Sequence, residues 1–129
     1  QAFATKRGVT IDALVADLDH YPMGIGKWDL IVSVFCHMPP TLRAKVHGNI
    51  AAALRPGGHF LIEAYCPANV GRGVGGPQNP DLCVALREVQ MQFPTFEFMV
   101  AREVERDILE GKFHNGFSAT TQVLAQKPR

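Results

Sequence analysis

Two hydrophobic rhythms alternate along this chain. The run "VTIDALVADL" is dense in Val, Ile and Leu and predicts a buried strand over 10–16, ending at Asp17. "DHYPMGIGK" is loop. "WDLIVSVFC" predicts a second strand over 28–36, apolar on both faces after Asp29. Pro39 and Pro40 then open a helix, because proline fits the first helical turn. Positions 42, 46, 50, 53 and 54 are apolar at helical spacing, and "RPGG" at 55–58 stops the helix. "HFLIEAYC" predicts a third strand over 59–66. Asn79 and Pro80 make a helix start, followed by the stripe Leu82, Ala85, Leu86, Val89 and Phe93. The tail predicts two strands, "FEFMVAREVER" and "FSATTQVLAQK", joined through "DILEGKFHNG" as an antiparallel pair.

Strands alternating with helices predict an α/β domain on a parallel sheet, closed by an antiparallel pair. The opening "QAFATKRG" reads as the end of a helix, with Lys6 and Arg7 in its last turn and Gly8 as the cap. A domain rarely starts there, so the expectation is a partial domain with an upstream piece missing.

Composition narrows this little further. The 129 residues suffice for one core, and 47% hydrophobic with 19% charged residues is ordinary globular composition. The net charge of +1, with scattered basic residues, gives no footprint for nucleic acid or an anionic membrane. No apolar run is long enough to span a bilayer. Cys36, Cys66 and Cys83 are far apart and odd in number, which predicts reduced thiols in a cytoplasm-like compartment; no Cys or His spacing predicts a metal site.

"GRGVGGP" at 71–77 contains the text of a GxGxxG through Gly71, Gly73 and Gly76. A dinucleotide loop needs its first glycine directly off a strand and a helix opening within the loop. Here four residues intervene after "EAYC", Pro77 follows at once, and the best helix start comes later. The nicotinamide-enzyme reading therefore fails on geometry. The stretch reads instead as a glycine loop bordering a substrate pocket, a candidate lid.

The combination of "LVADL", "WDLIVSVFCHMPP" and "LRPGGHFLIEAY" resembles the later part of a class I S-adenosylmethionine-dependent methyltransferase. "VFCHMPPTLRAKVH", "EAYCPANVGRGVGGPQNPDL" and "EGKFHNGFSATTQVLAQK" resemble more narrowly the small bacterial tellurite-resistance type. The resemblance covers nearly the whole chain. It implies a partial Rossmann-like three-layer fold, strands 3–7 of a seven-stranded sheet ordered 3-2-1-4-5-7-6. The family's glycine loop for the methionine half of the cofactor, and its acid for the ribose hydroxyls, belong to elements outside these residues. Strand 10–16 then has no natural neighbour. It must pair with 28–36, be completed by another chain in a homo-oligomer, or hang loose.

The resemblance also implies a cofactor, S-adenosyl-L-methionine, and a small-molecule acceptor. Asp17 matches the carboxylate that meets the adenine amino group, with the Leu18 backbone beside it; a solvated loop Asp is the plainer alternative, and Asp19 the fallback. Val34, Phe35 and Cys36 end a strand where open α/β sheets bind ligands, and their backbone would face the cofactor. His37 follows at the sheet edge, placed either to orient an acceptor and take its proton or simply to satisfy a helix start. Glu63 and Tyr65 share one face of the third strand. Tyr65 is a catalytic candidate. Glu63 either binds substrate or forms a structural ion pair with an arginine such as Arg102 or Arg106. The family pattern has a histidine at His114, which with Gly75 and Gly76 would border the acceptor. His47 and His59 read as surface or helix-flank residues. Against the methyltransferase reading stands a non-catalytic α/β module that binds or completes a partner.

Overall fold

The computed structural model describes residues 2–111 and 114–129. Lys112 and Phe113, in the link between the last two strands, lie outside the described residues, as does Gln1. Helix α1 (Ala2–Lys6) ends as the sequence predicts: Gly8 adopts φ +68, and its N–H donates to the Thr5 carbonyl at 3.0 Å.

Strands β1 (Trp28–Val34) and β2 (Leu54–Tyr65) pair in parallel across helix α2 (Pro40–Ala53). Helix α3 (Leu86–Gln92) leads into β3 (Glu97–Leu109), which turns back as β4 (Asn115–Gln126). β4 inserts antiparallel between β2 and β3, giving the order β1-β2-β4-β3. That is the 4-5-7-6 part of the implied sheet. Phe60, Ile62, Val123 and Ala125 present one face of the sheet to α2 and α3, and the core lies there. Leu61, Glu63, Gln122 and Leu124 face the other way and are only half-buried.

Three expectations change. The 10–16 segment forms no strand and is exposed throughout. Its apolar pattern needs a neighbour on which to be buried, and the described residues offer none. β1 likewise sits at the sheet edge, so Leu30, Val32 and Val34 stay 51%, 52% and 50% exposed rather than buried on both faces. β2 begins at Leu54, not at 59, and absorbs "RPGG" as a bulge: Trp28 pairs with Leu54, but Leu30 already pairs with His59.

The helix expected from Pro80 is broken. Asn79 does cap a turn, accepting the Asp81 N–H at 3.0 Å, but that turn is a single 3-10 turn, Pro80–Leu82. The chain then extends, because the end of the sheet captures Val84. Its N–H donates to the Tyr65 carbonyl at 2.9 Å, and its carbonyl accepts from Thr121 Oγ1 at 2.6 Å. Only after Ala85 does the helix resume.

His47 is a further correction, since it is fully buried, with Phe60 and Phe93 5.5 Å and 5.3 Å away and Nδ1 bonded to the Gln92 side chain. Its Nε2 has no partner. Burial holds its pKa below the ordinary imidazole value. A group that binds its proton less well when folded contributes stability in full above its unfolded pKa of about 6.5 and loses it as pH falls through the folded value. The urea midpoint is therefore expected to fall between pH 7 and pH 5, and His47→Leu to flatten that slope. A slope unchanged by the substitution would assign the acid loss to other groups; His37, also lowered by burial, is the next to test.

Candidate functional site

The candidate site gathers at the C-terminal ends of β1 and β2, where open α/β sheets bind ligands. β1 stops after Val34, and Phe35 turns the chain with φ +49, a left-handed backbone that a bulky residue adopts at a cost of about 1–3 kcal/mol. Its N–H still donates to the Glu63 carbonyl at 2.8 Å, so the turn stays fastened to β2. The turn swings the Phe35 ring onto His114, centroids 4.5 Å apart, and beside Tyr65 at 4.9 Å.

Tyr65 closes β2 and is buried, and burial raises its phenol pKa. Its hydroxyl bonds His114 Nδ1 at 3.0 Å, and His37 stacks on its ring at 5.5 Å. The three residues expected to carry chemistry thus form one cluster with Phe35. The glycine loop closes over it: Gly75 bridges to His114, and Gly76 lies flat against the Tyr65 ring.

His37 is set by its surroundings. Its Nδ1 lies 3.0 Å from the Leu82 carbonyl, which only accepts, so Nδ1 carries the proton. Nε2 therefore holds a lone pair, and it is buried without a partner. Burial also lowers the His37 pKa, which keeps the ring neutral near pH 7. The described residues leave this buried acceptor without a donor, as they leave His47 Nε2 in the core.

The residues expected at the cofactor divide. Leu18, Val34 and Cys36 line one groove of about 500 Å3, which runs along β1 and is walled by Tyr21, Met38 and Val46. Phe35 faces away from it, into the aromatic cluster. The Asp17 carboxylate is exposed, accepts the Asp19 N–H and meets His20 Nδ1, both at 3.0 Å; the His20 bond is the main cause holding its pKa low. Asp19 is taken by Lys45 at 2.6 Å.

Glu63 stands apart from the aromatic cluster. Its Oε1 accepts from Arg106 Nε at 2.9 Å and Gln122 Nε2 at 3.0 Å, which is the arginine pairing that the sequence offered as its structural alternative.

No family model matches this sequence, and no curated protein does. Solved structures match closely in shape. TehB from Haemophilus influenzae superposes with a TM-score of 0.73 at 18% identity, over 98% of this chain and 44% of that one. The N-methyltransferase NodS from Bradyrhizobium japonicum gives 0.67 at 16% identity, over 99% of this chain and 66% of that one. A putative methyltransferase from Bacillus halodurans gives 0.69 at 10% identity, over 99% and 77%. This chain has part of the class I methyltransferase fold.

That fold accounts for the placement of the cluster but not for its supports, which sequence reasoning missed. Asn69 is buried; its Nδ2 donates to the Gly75 carbonyl at 3.0 Å, and its Oδ1 accepts the Ala119 N–H at 2.9 Å. Nothing in "CPANVG" marks it. Arg43 is 2% exposed, bonded to both Glu88 oxygens at 2.8 and 2.9 Å and to the carbonyls of Met38 and Asp81. Here a signal existed, since 43, 46, 47 and 50 share one helical face with the core. Among the described residues, no helix of this methyltransferase-fold chain is long and apolar enough to cross a membrane.

Proposed function

We propose that this chain is the acceptor-side part of a methyltransferase domain that transfers methyl groups from S-adenosylmethionine to a small molecule. The observation that carries it is the buried, unpartnered Nε2 of His37 beside the Tyr65–His114 pair, at the ligand-binding edge of the sheet. The residues fit the cofactor in part. Leu18, Val34 and Cys36 offer a largely apolar groove to a flat base, and Asp17, next in sequence to Leu18, presents an exposed carboxylate, held by the Asp19 N–H and His20, that suits an exocyclic amino group. Bound there, S-adenosylmethionine supplies a methyl group on a sulfonium, an electrophile that needs an aligned nucleophile and little else.

The chain's own groups do the rest. An acceptor carrying an O–H, N–H or S–H donates that proton to Nε2, which orients the nucleophilic atom and takes the proton as the atom is methylated. Leu82 holds the receiving tautomer. Phe35, Tyr65 and the glycine loop keep water from the reacting atoms.

The test has two parts. Calorimetric titration with S-adenosylhomocysteine is expected to give heat. Turnover, read as S-adenosylhomocysteine formed with a panel of small thiols, phenols and amines, is expected to fall in His37→Asn by about 10²–10⁴-fold, the usual worth of a positioned base. The asparagine amide keeps a donor for the Leu82 carbonyl. Full turnover in His37→Asn would remove the base from the scheme. No heat at high ligand concentration would favour the second reading, a non-catalytic module that completes a partner.

A further inference from the structure

The glycine loop hangs between two fixed turns. The 3-10 turn Pro67–Asn69 follows β2 directly, and just before it the Cys66 N–H donates to the Ala119 carbonyl of β4 at 3.1 Å. At the far end, Arg43 holds the Asp81 carbonyl at 3.2 Å in the turn Pro80–Leu82. Between them Gly71, Gly73, Gly75 and Gly76 all take positive φ, from +69 to +116. Glycine moves through those backbone states at little cost, so the segment can pivot while its ends stay put.

The contacts that hold the segment down are few. Arg72 forms an ion pair with Glu105 on β3, and its guanidinium lies over the Phe117 ring of β4 at 5.7 Å. Val74 fills the space that Gly116 leaves on β4, where a Cβ would come within 2.6 Å of Val74 Cγ1. Backbone pairing to the hairpin is, among the described residues, one isolated bridge, Gly75 to His114. Arg72 and Glu105 keep 24% and 56% side-chain exposure, so water and salt compete for the pair. Gly76 lies against the buried Tyr65 ring, and His37 stacks on the same ring with its Nε2 closed off from solvent. A cover held by few and partly exposed contacts has the low local stability of segments that admit ligands.

We propose that residues 71–76 are a gate to Tyr65 and His37: the segment lifts between its two anchored turns when the Arg72–Glu105 catch parts, and Val74 reseats against Gly116 as it closes. Lifting leaves the sheet folded, because catch and plug are side-chain contacts and the bridge at Gly75 is one pair. The gate sets access whatever ligand the cluster takes, so it stands apart from methyl transfer.

Diethyl pyrocarbonate, which acylates neutral imidazole, tests this on the purified chain, with each histidine followed by peptide mass spectrometry. Two histidines bracket the result. His20 is exposed, whereas His47 has an equally buried Nε2 but sits in the core against Phe60 and Phe93. His37 is expected to react more slowly than His20 and at least tenfold faster than His47. Glu105→Gln and Arg72→Gln are each expected to speed His37 by about two- to fivefold, the worth of an exposed ion pair. Val74→Ala is expected to speed it further, and none of the three should move His47. The exchanged pair Arg72→Glu with Glu105→Arg should return His37 to the native rate. Added sodium chloride should speed His37 in the native chain and not in Glu105→Gln. Equal native rates for His37 and His47 would mean that both open only by unfolding, and would overturn the gate. So would a His37 as fast as His20, a His37 rate indifferent to all three substitutions, or one that rises only in step with His47.

Discussion

Replacing Arg43 by alanine is expected to cost about 3 kcal/mol of stability, the lower end of what breaking a buried ion pair costs, because Glu88 keeps 24% exposure. Arg43 satisfies three elements at once. It bonds both Glu88 oxygens on α3, the Met38 carbonyl before α2, and the Asp81 carbonyl in the turn that carries Leu82. Its loss strands a carboxylate and two carbonyls that are poorly placed for water. The double variant Arg43→Met with Glu88→Gln is expected to recover part of that loss, since it removes the stranded charge and refills the volume. Urea titrations of both read this directly. A double variant as unstable as the sum of its singles would show that the pair is not coupled. Under the proposed methyl transfer the consequence runs through Leu82: once the turn loosens, the carbonyl that fixes the His37 tautomer is no longer held, and the turnover tested above is expected to fall further than the stability loss alone explains.

The second large effect is at Gly76. A Cβ built there would lie 2.8 Å from Tyr65 Cγ and Cε2 and closer still to Cδ2, and φ is +81. Overpacking against a buried ring and a left-handed backbone together are expected to cost Gly76→Ala about 2–4 kcal/mol, or roughly 8–16 °C in melting temperature. Gly71→Ala separates the two causes. Gly71 has φ +85 but nothing within 4 Å of a Cβ, so only the backbone cost, about 1 kcal/mol, should appear. Equal melting temperatures for the two variants would mean that the ring gives way and the loop does not depend on it.

Much of the sheet was legible. β2, β3 and β4 are long and apolar enough to declare themselves, and the antiparallel ending follows from their short link. The 10–16 segment reads equally well as a strand and is not one, because a hydrophobic pattern encodes the need for burial and not the presence of a burying partner. The break after Leu82 was illegible for a related reason: "CVAL" continues a helical stripe, and only the Tyr65 carbonyl and Thr121 hydroxyl, far away in sequence, pull it straight. For the site, residue identities were visible and relationships were not. Phe35 was expected to act through its backbone, yet its ring is the surface on which His114 stacks. His37 was a candidate from its position, but its tautomer depends on Leu82, which no local pattern connects to it.

Asn69 joins the Gly75 carbonyl to the Ala119 N–H through one side chain. Lifting the glycine loop and freeing that one amide of β4 are therefore coupled events with a shared free energy. A ligand that holds the loop down pulls on the middle of the sheet, and anything that frays β4 at Ala119 unlatches the cover over Tyr65 and His114.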